Sequence, residues 1–185
     1  MLRWRESAFV SLPNGLSLLR IFLTPLFLYC AFYSREFLAL SLFFIAAWTD
    51  WADGFFARRL GQESRLGQLL DPVADKVLLV GSYLGFYFLG AIPFWLMMIV
   101  VFRDCFMLIT ALMLLLQRSK FQMKPLFISK LNTCLQILYI SFVLLKVPQG
   151  LLSMTGIIMA GTTIASGLFY MWSLLNYVRI LKKPS

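Results

Sequence analysis

Long apolar runs, interrupted by short clusters of charge and by Pro or Gly, organise this chain. Leu16 to Tyr33, Phe37 to Phe56, Pro72 to about Leu89, Phe94 to Leu116, Leu126 to about Leu145 and Leu151 to Tyr177 each read as a helix about as long as a bilayer's hydrocarbon core is thick. Before them, Met1 to Leu12 mixes Arg3, Trp4, Arg5 and Glu6 with Leu2, Phe9 and Val10, the pattern of a short amphipathic helix lying in the headgroup region, which Pro13-Asn14-Gly15 should break. The expected fold class is an all-α membrane protein with six transmembrane helices plus an N-terminal interfacial helix. No linker, low-complexity tract or repeat divides residues 1–185, so a single membrane domain is expected.

Composition sharpens this reading. With 61% hydrophobic residues and 14% charged ones, the 185-residue chain is too apolar for a soluble domain. The formal net charge of +9 does not point to nucleic acid, because the basic residues sit at the ends of apolar runs. One side of the expected bundle collects Arg3, Arg5, Arg58, Arg59, Arg65, Arg118, Lys120, Lys124, Arg179, Lys182 and Lys183, and the other only Arg35 and Lys146. The basic side should be cytosolic, with both termini. Arg20 interrupts the first run and no small-residue cleavage site follows, so the N-terminal segment is expected to be retained. Taken alone, Arg20 reads as a cation snorkelling towards the cytosolic face. Cys30, Cys105 and Cys134 form no Cys-x-x-Cys pair and read as packing residues. Gly81 and Gly85 form a Gly-x-x-x-Gly pair that permits close packing within the bundle or a homodimer.

Four carboxylates stand out against this background. Asp50 and Asp53 close the second run, and Asp71 and Asp75 open the third, each pair at helical spacing on one face. A short basic loop, Arg58 to Leu70, should make the two helices antiparallel neighbours and bring the acids together just inside one membrane face. Two carboxylates about 5 Å apart at an effective dielectric of about 20 repel by roughly 3 kcal/mol, so four of them need cations or protons for company. The chain has no His. The donors are hard oxygens, which suit Mg²⁺ or Mn²⁺ rather than Zn²⁺. In a plainer reading, Asp71 only caps a helix opened by Pro72 while Lys76 neutralises Asp75, which leaves Asp50 and Asp53 unexplained. Arg103 and Asp104, in mid-run, should line a polar cavity or face each other, with cavity lining the preferred reading.

Asp50, Asp53, Gly54, Ala57, Arg58, Gly67, Asp71 and Asp75 stand at the spacing Asp-x-x-Asp-Gly-x-x-Ala-Arg, eight residues, Gly, three residues, Asp, three residues, Asp. This resembles the signature of the CDP-alcohol phosphatidyltransferases, and the stretch Thr49 to Val80 resembles their phosphatidylglycerophosphate synthase and cardiolipin synthase branches. Pro13-Asn14 and Arg20 also resemble that family. The resemblance implies transfer of phosphatidyl from CDP-diacylglycerol to an alcohol with release of CMP, at a cytosolic site in a membrane such as the bacterial inner membrane. It implies that Asp50, Asp53 and Asp71 bind metal, that Asp75 binds metal and is the general base, and that two Mg²⁺ or Mn²⁺ ions serve the site. Gly54, Ala57 and Gly67 would leave room for the nucleotide, and Arg58 would meet the donor's phosphates.

For the acceptor, Arg103, Arg118 and Lys130 are candidate ligands of an anionic head group. The Met171 to Leu175 stretch resembles a bacterial phosphatidylglycerophosphate synthase, which makes glycerol 3-phosphate the favoured acceptor. Lys124 to Thr133 looks more like the cardiolipin synthases, whose acceptor is phosphatidylglycerol, and Asn132 stands where the glycerophosphate enzymes usually have a second lysine. A transporter built on intramembrane acids is the remote alternative, and it gives no reason for the Gly, Ala and Arg positions.

Overall fold

The computed structural model describes the backbone of residues 12–60, 65–116 and 127–181, with side chains at 15, 18–49, 73, 74, 76–113 and 128–175. Six helices account for it, α1 Leu12–Phe32, α2 Glu36–Leu60, α3 Arg65–Phe88, α4 Phe94–Leu116, α5 Phe127–Leu144 and α6 Gln149–Leu181, with no strand among the described residues. The expected interfacial helix falls at residues 1–11, outside the described residues.

Several expected boundaries move. Pro13-Asn14-Gly15 does not break the chain but forms the start of α1, because a proline in the first turn gives up no intrahelical bond and its φ is already helical. Most of the expected basic loop Arg58–Leu70 is helical, since α2 runs on to Leu60 and α3 begins at Arg65. Pro72 therefore lies inside α3, as Pro25 lies inside α1, and Asp71 does not cap a helix opened by Pro72. Each internal proline removes one backbone bond, a loss that neighbouring helices can offset. At the other end of α6 the helix passes the expected Tyr177 and includes Arg179.

Three helices end on the same device. At the ends of α1, α3 and α5 a residue with left-handed backbone follows, Ser34 at φ 55°, Gly90 at 71° and Lys146 at 50°. Each is flanked by the paired bonds of a Schellman cap, for example Gly90 N–H to Tyr87 O at 2.9 Å and Ala91 N–H to Phe86 O at 2.9 Å. After α1 and α5 these caps turn the chain back within a few residues, so α1 and α2, and α5 and α6, form hairpins.

The chain divides into two compact units, Met1–Ala91 and Ile92–Ser185. In the first, α1 packs against both α2 and α3, which also meet each other. Phe27 is its centre, with ring centroids 5.4 Å from Phe43 of α2 and 6.0 Å from Phe86 of α3. Gly81 and Gly85 face α1. A Cβ on Gly81 would lie 3.3 Å from Thr24 Cγ2, and one on Gly85 would lie 2.5 Å from Leu28 Cδ2. The Gly-x-x-x-Gly pair is therefore used inside the unit, where missing side chains let two helices close up.

In the second unit α6 packs against α4 and α5. Gly156 lets it approach the Tyr139 ring, whose Cε2 would be 3.1 Å from an added Cβ. Phe94–Met113 and Gln149–Leu175 are long and apolar enough to cross a membrane.

Across both units the usual sorting of residues is partly reversed. Phe37, Phe88 and Phe102 are 84%, 82% and 74% exposed, while Arg20, Asp104, Asn132 and Gln136 are completely buried. Apolar surface of this kind, with polar groups hidden, suits a lipid environment. Of the cysteines only Cys30 packs in the interior; Cys105 and Cys134 are exposed, so two of the three expected packing roles fail, and all three thiols are free.

Candidate active site

The four aspartates ride on the second half of α2 and the first half of α3. Their side chains, with those of Gly54, Ala57, Arg58 and Gly67, lie outside the described residues, as does Arg118. The heights of their backbones follow from described contacts. Helices α1 and α2 form a tight hairpin with Phe27 against Phe43, so every step back along α1 is a step forward along α2. Seven residues separate Phe27 from Arg20 and Phe43 from Asp50, and ten separate Phe27 from Ser17 and Phe43 from Asp53. Helices α1 and α3 run parallel, because Thr24 meets Gly81 and Leu28 meets Gly85. Six residues back from that first pair are Leu18 and Asp75, and ten back are Asn14 and Asp71.

Asp53, Asp75 and Asp50 thus stand level with Ser17, Leu18 and Arg20 of α1, a spread of about 4.5 Å along the helix axis at 1.5 Å per residue. Asp71 follows about one turn further down. The donor set, all carboxylate oxygen, is of the chemical kind that suits a hard divalent cation.

At this level α1 carries a residue that sequence reasoning misplaced. Arg20 is fully buried and does not snorkel into solvent or headgroups. Its backbone carbonyl also accepts a bond from Thr24 Oγ1 at 2.9 Å. The signal was available, since a cation inside an apolar run that also carries Pro13-Asn14 is more costly to bury than any neighbour and should have been read with the acids.

The second unit holds a separate polar interior. Arg103 Nη1 donates to Asp104 Oδ1 at 2.5 Å, and Nη2 donates to Ser129 Oγ of α5 at 2.9 Å and to Ser166 Oγ of α6 at 2.8 Å. Gln136 Nε2 reaches Asp104 Oδ2 at 3.5 Å. One turn along α5 from Ser129, Asn132 Oδ1 accepts bonds from Thr162 Oγ1 at 3.0 Å and Thr163 Oγ1 at 2.7 Å. Arg103 Nε and Asn132 Nδ2 are buried donors with no partner among the described atoms. Of the three expected acceptor ligands, Arg103 is thus spent on a buried ion pair and two serines, with 4% of its surface exposed, while Lys130 is exposed. Sequence reasoning missed Ser129, Gln136, Thr162, Thr163 and Ser166, which as isolated hydroxyl or amide residues in apolar runs give only a weak periodic signal.

Residues 10–170 match the CDP-alcohol phosphatidyltransferase family model, a span that crosses both units. The chain belongs to that family. It is 32% identical to a protein of Drosophila melanogaster named probable cardiolipin synthase (CMP-forming), a match covering 100% of this chain and 64% of that protein. It is 36% identical to the CDP-diacylglycerol--glycerol-3-phosphate 3-phosphatidyltransferase of Aquifex aeolicus over 75% of each. The human cardiolipin synthase (CMP-forming) is 35% identical over 71% of this chain and 49% of its own length. The chain thus spans 64% of the Drosophila protein and about half of the human one.

Proposed function

We propose that this family member moves the phosphatidyl group of CDP-diacylglycerol to a glycerol hydroxyl and releases CMP, from six membrane-spanning helices with the acids at the cytosolic face. The observation that carries this reading is the common height of Asp50, Asp53 and Asp75 on helices that share α1 as a neighbour. Donor acyl chains stay in lipid while the diphosphate reaches the acids. Two Mg²⁺ or Mn²⁺ ions held by Asp50, Asp53, Asp71 and Asp75 would supply charge neutralisation at the diphosphate and at departing CMP.

The chain's own residues do the rest. Asp75 takes the acceptor proton as its oxygen bonds to the phosphatidyl phosphorus and the bond to CMP breaks, a late transfer because a carboxylate is a weak base for an alcohol. Gly54, Ala57 and Gly67 keep a side-chain-free surface for the nucleotide, and Arg58 holds phosphate. Purified protein given CDP-diacylglycerol and Mg²⁺ should release CMP only with an acceptor, and Asp75→Asn should lower the rate by about a hundredfold or more. Near-normal turnover in that variant would remove Asp75 from the chemistry.

Glycerol 3-phosphate is the acceptor favoured by the likeness to the Aquifex enzyme. Phosphatidylglycerol is a second reading, and a specific observation favours it. A phosphomonoester carries nearly two charges and needs several cations, yet Asn132 is neutral and fastened to Thr162 and Thr163, and the Arg103 charge is matched by Asp104. A phosphodiester carries one charge and asks less of the site. Labelled donor supplied with each acceptor in turn, followed by lipid analysis, separates the two.

A further inference from the structure

Arg20 is the buried cation for which the transfer chemistry has no assigned use. A guanidinium taken completely out of solvent is costly unless anions compensate it. Within the N-terminal unit, the acids near its level are Asp50, directly opposite on α2, and Asp53 and Asp75, two to three residues lower. Helical side chains lean towards the N-terminus of their own helix, so a long side chain from position 20 is carried down towards the level of Ser17 and Leu18, where Asp53 and Asp75 stand. Lys76, the other cation of this level, is half-buried on α3.

We propose that Arg20 is a positioning residue of the acid pocket, a fixed internal cation that holds the aspartates in place before metal binds and that limits how tightly metal binds. The inference rests on the proposed metal-dependent transfer, and it concerns how the carboxylates are held rather than which ions or substrates they meet. A permanent charge about 7 Å from a divalent ion, at an effective dielectric of about 20, changes the ion's affinity by roughly a thousandfold, so a tenfold change is a floor for the effect.

The test uses the full chain in detergent micelles, with Mn²⁺ titrated in and free Mn²⁺ read by electron paramagnetic resonance. Arg20→Gln should bind Mn²⁺ about tenfold or more tightly than wild type while kcat falls, and Arg20→Lys should restore the weaker affinity. Equal Mn²⁺ affinity in wild type and Arg20→Gln overturns the proposal. A metal-free cycle supplies an independent reading. If Arg20→Gln lowers the melting temperature or fails to fold, Arg20→Gln combined with Asp50→Asn should recover stability, and losses that simply add would overturn the proposal. A wild-type protein that binds Mn²⁺ but shows neither effect sinks the Arg20 role alone. One that binds no Mn²⁺ and releases no CMP sinks the transfer reading, while the metal-free cycle still decides on Arg20.

Discussion

The buried pair of Arg103 and Asp104 offers the sharpest stability test, because its two charges lie in direct contact with 4% and 0% of their side chains exposed. Placing the charge centres about 4 Å apart at an effective dielectric of about 20 gives an attraction of roughly 4 kcal/mol. Asp104→Ala removes that attraction and leaves the guanidinium with Ser129 and Ser166 as its described partners. Stranding a buried charge in this way costs about 3–5 kcal/mol. For a chain of this size that corresponds to a fall in melting temperature of roughly 6–20 °C. Arg103→Met combined with Asp104→Leu removes both charges, and its loss should be smaller than that of Asp104→Ala alone.

Thermal unfolding in one detergent, followed by circular dichroism for wild type, both single variants and the double variant, gives the coupling directly. It should exceed about 2 kcal/mol. A double variant whose loss equals the sum of the single ones would show that the pair stores no mutual stabilisation. Kinetics on the same proteins address the acceptor. If Arg103 serves only the interior, Arg103→Lys changes stability and leaves the acceptor KM within about twofold; a rise above about tenfold would restore it as an acceptor ligand.

Three further outcomes follow from the helix contacts. Gly85→Leu should cost about 1–3 kcal/mol in thermal melts, since even a Cβ would strike Leu28, whereas Gly161→Ala, with nothing within 4 Å, should be nearly silent. Thr163→Val removes a 2.7 Å bond to the buried Asn132 carbonyl and should cost about 1 kcal/mol, with Thr162→Val adding less because its bond is longer at 3.0 Å. Ser34→Gly and Lys146→Gly should each raise stability by up to about 1 kcal/mol, because both positions hold left-handed backbone; a fall in the melting temperature of either would contradict the cap geometry.

Periodicity served best where a run was uninterrupted. Phe94 to Leu116 is matched residue for residue by α4, and the described part of the run from Leu126 to Leu145 is helical to Leu144, because nothing within them competes with the helix. It failed at Pro13 and Pro72, both taken for boundaries. A proline forbids a donor at one position and says nothing about whether packing on either side sustains the turn. The motif acids, and their meeting near one membrane face, were expected from the short loop between them, but the level of each against α1 was not. That height depends on Thr24 meeting Gly81 and Phe27 meeting Phe43, long-range contacts for which no local pattern codes. Arg103 and Asp104 were seen to need a polar surrounding, yet the choice between a cavity and each other lay with Ser129 and Ser166 on two other helices.

Both units bury charge, but each handles it differently, and the difference bears on what each can bind. In the C-terminal unit Arg103 is matched by its neighbour Asp104 and bonded further by two hydroxyls, so its net field is small and its contribution is rigidity. In the N-terminal unit the backbones of Asp50, Asp53 and Asp75 share a level with the buried Arg20 and the half-buried Lys76, and under the proposed function the acids would outnumber the cations described at that level. Such a surplus would not be relieved by rotamers alone. It can be relieved by a divalent ion or by protonation. Under the proposed function the N-terminal unit is therefore the polar interior that would leave charge for a metal to complete.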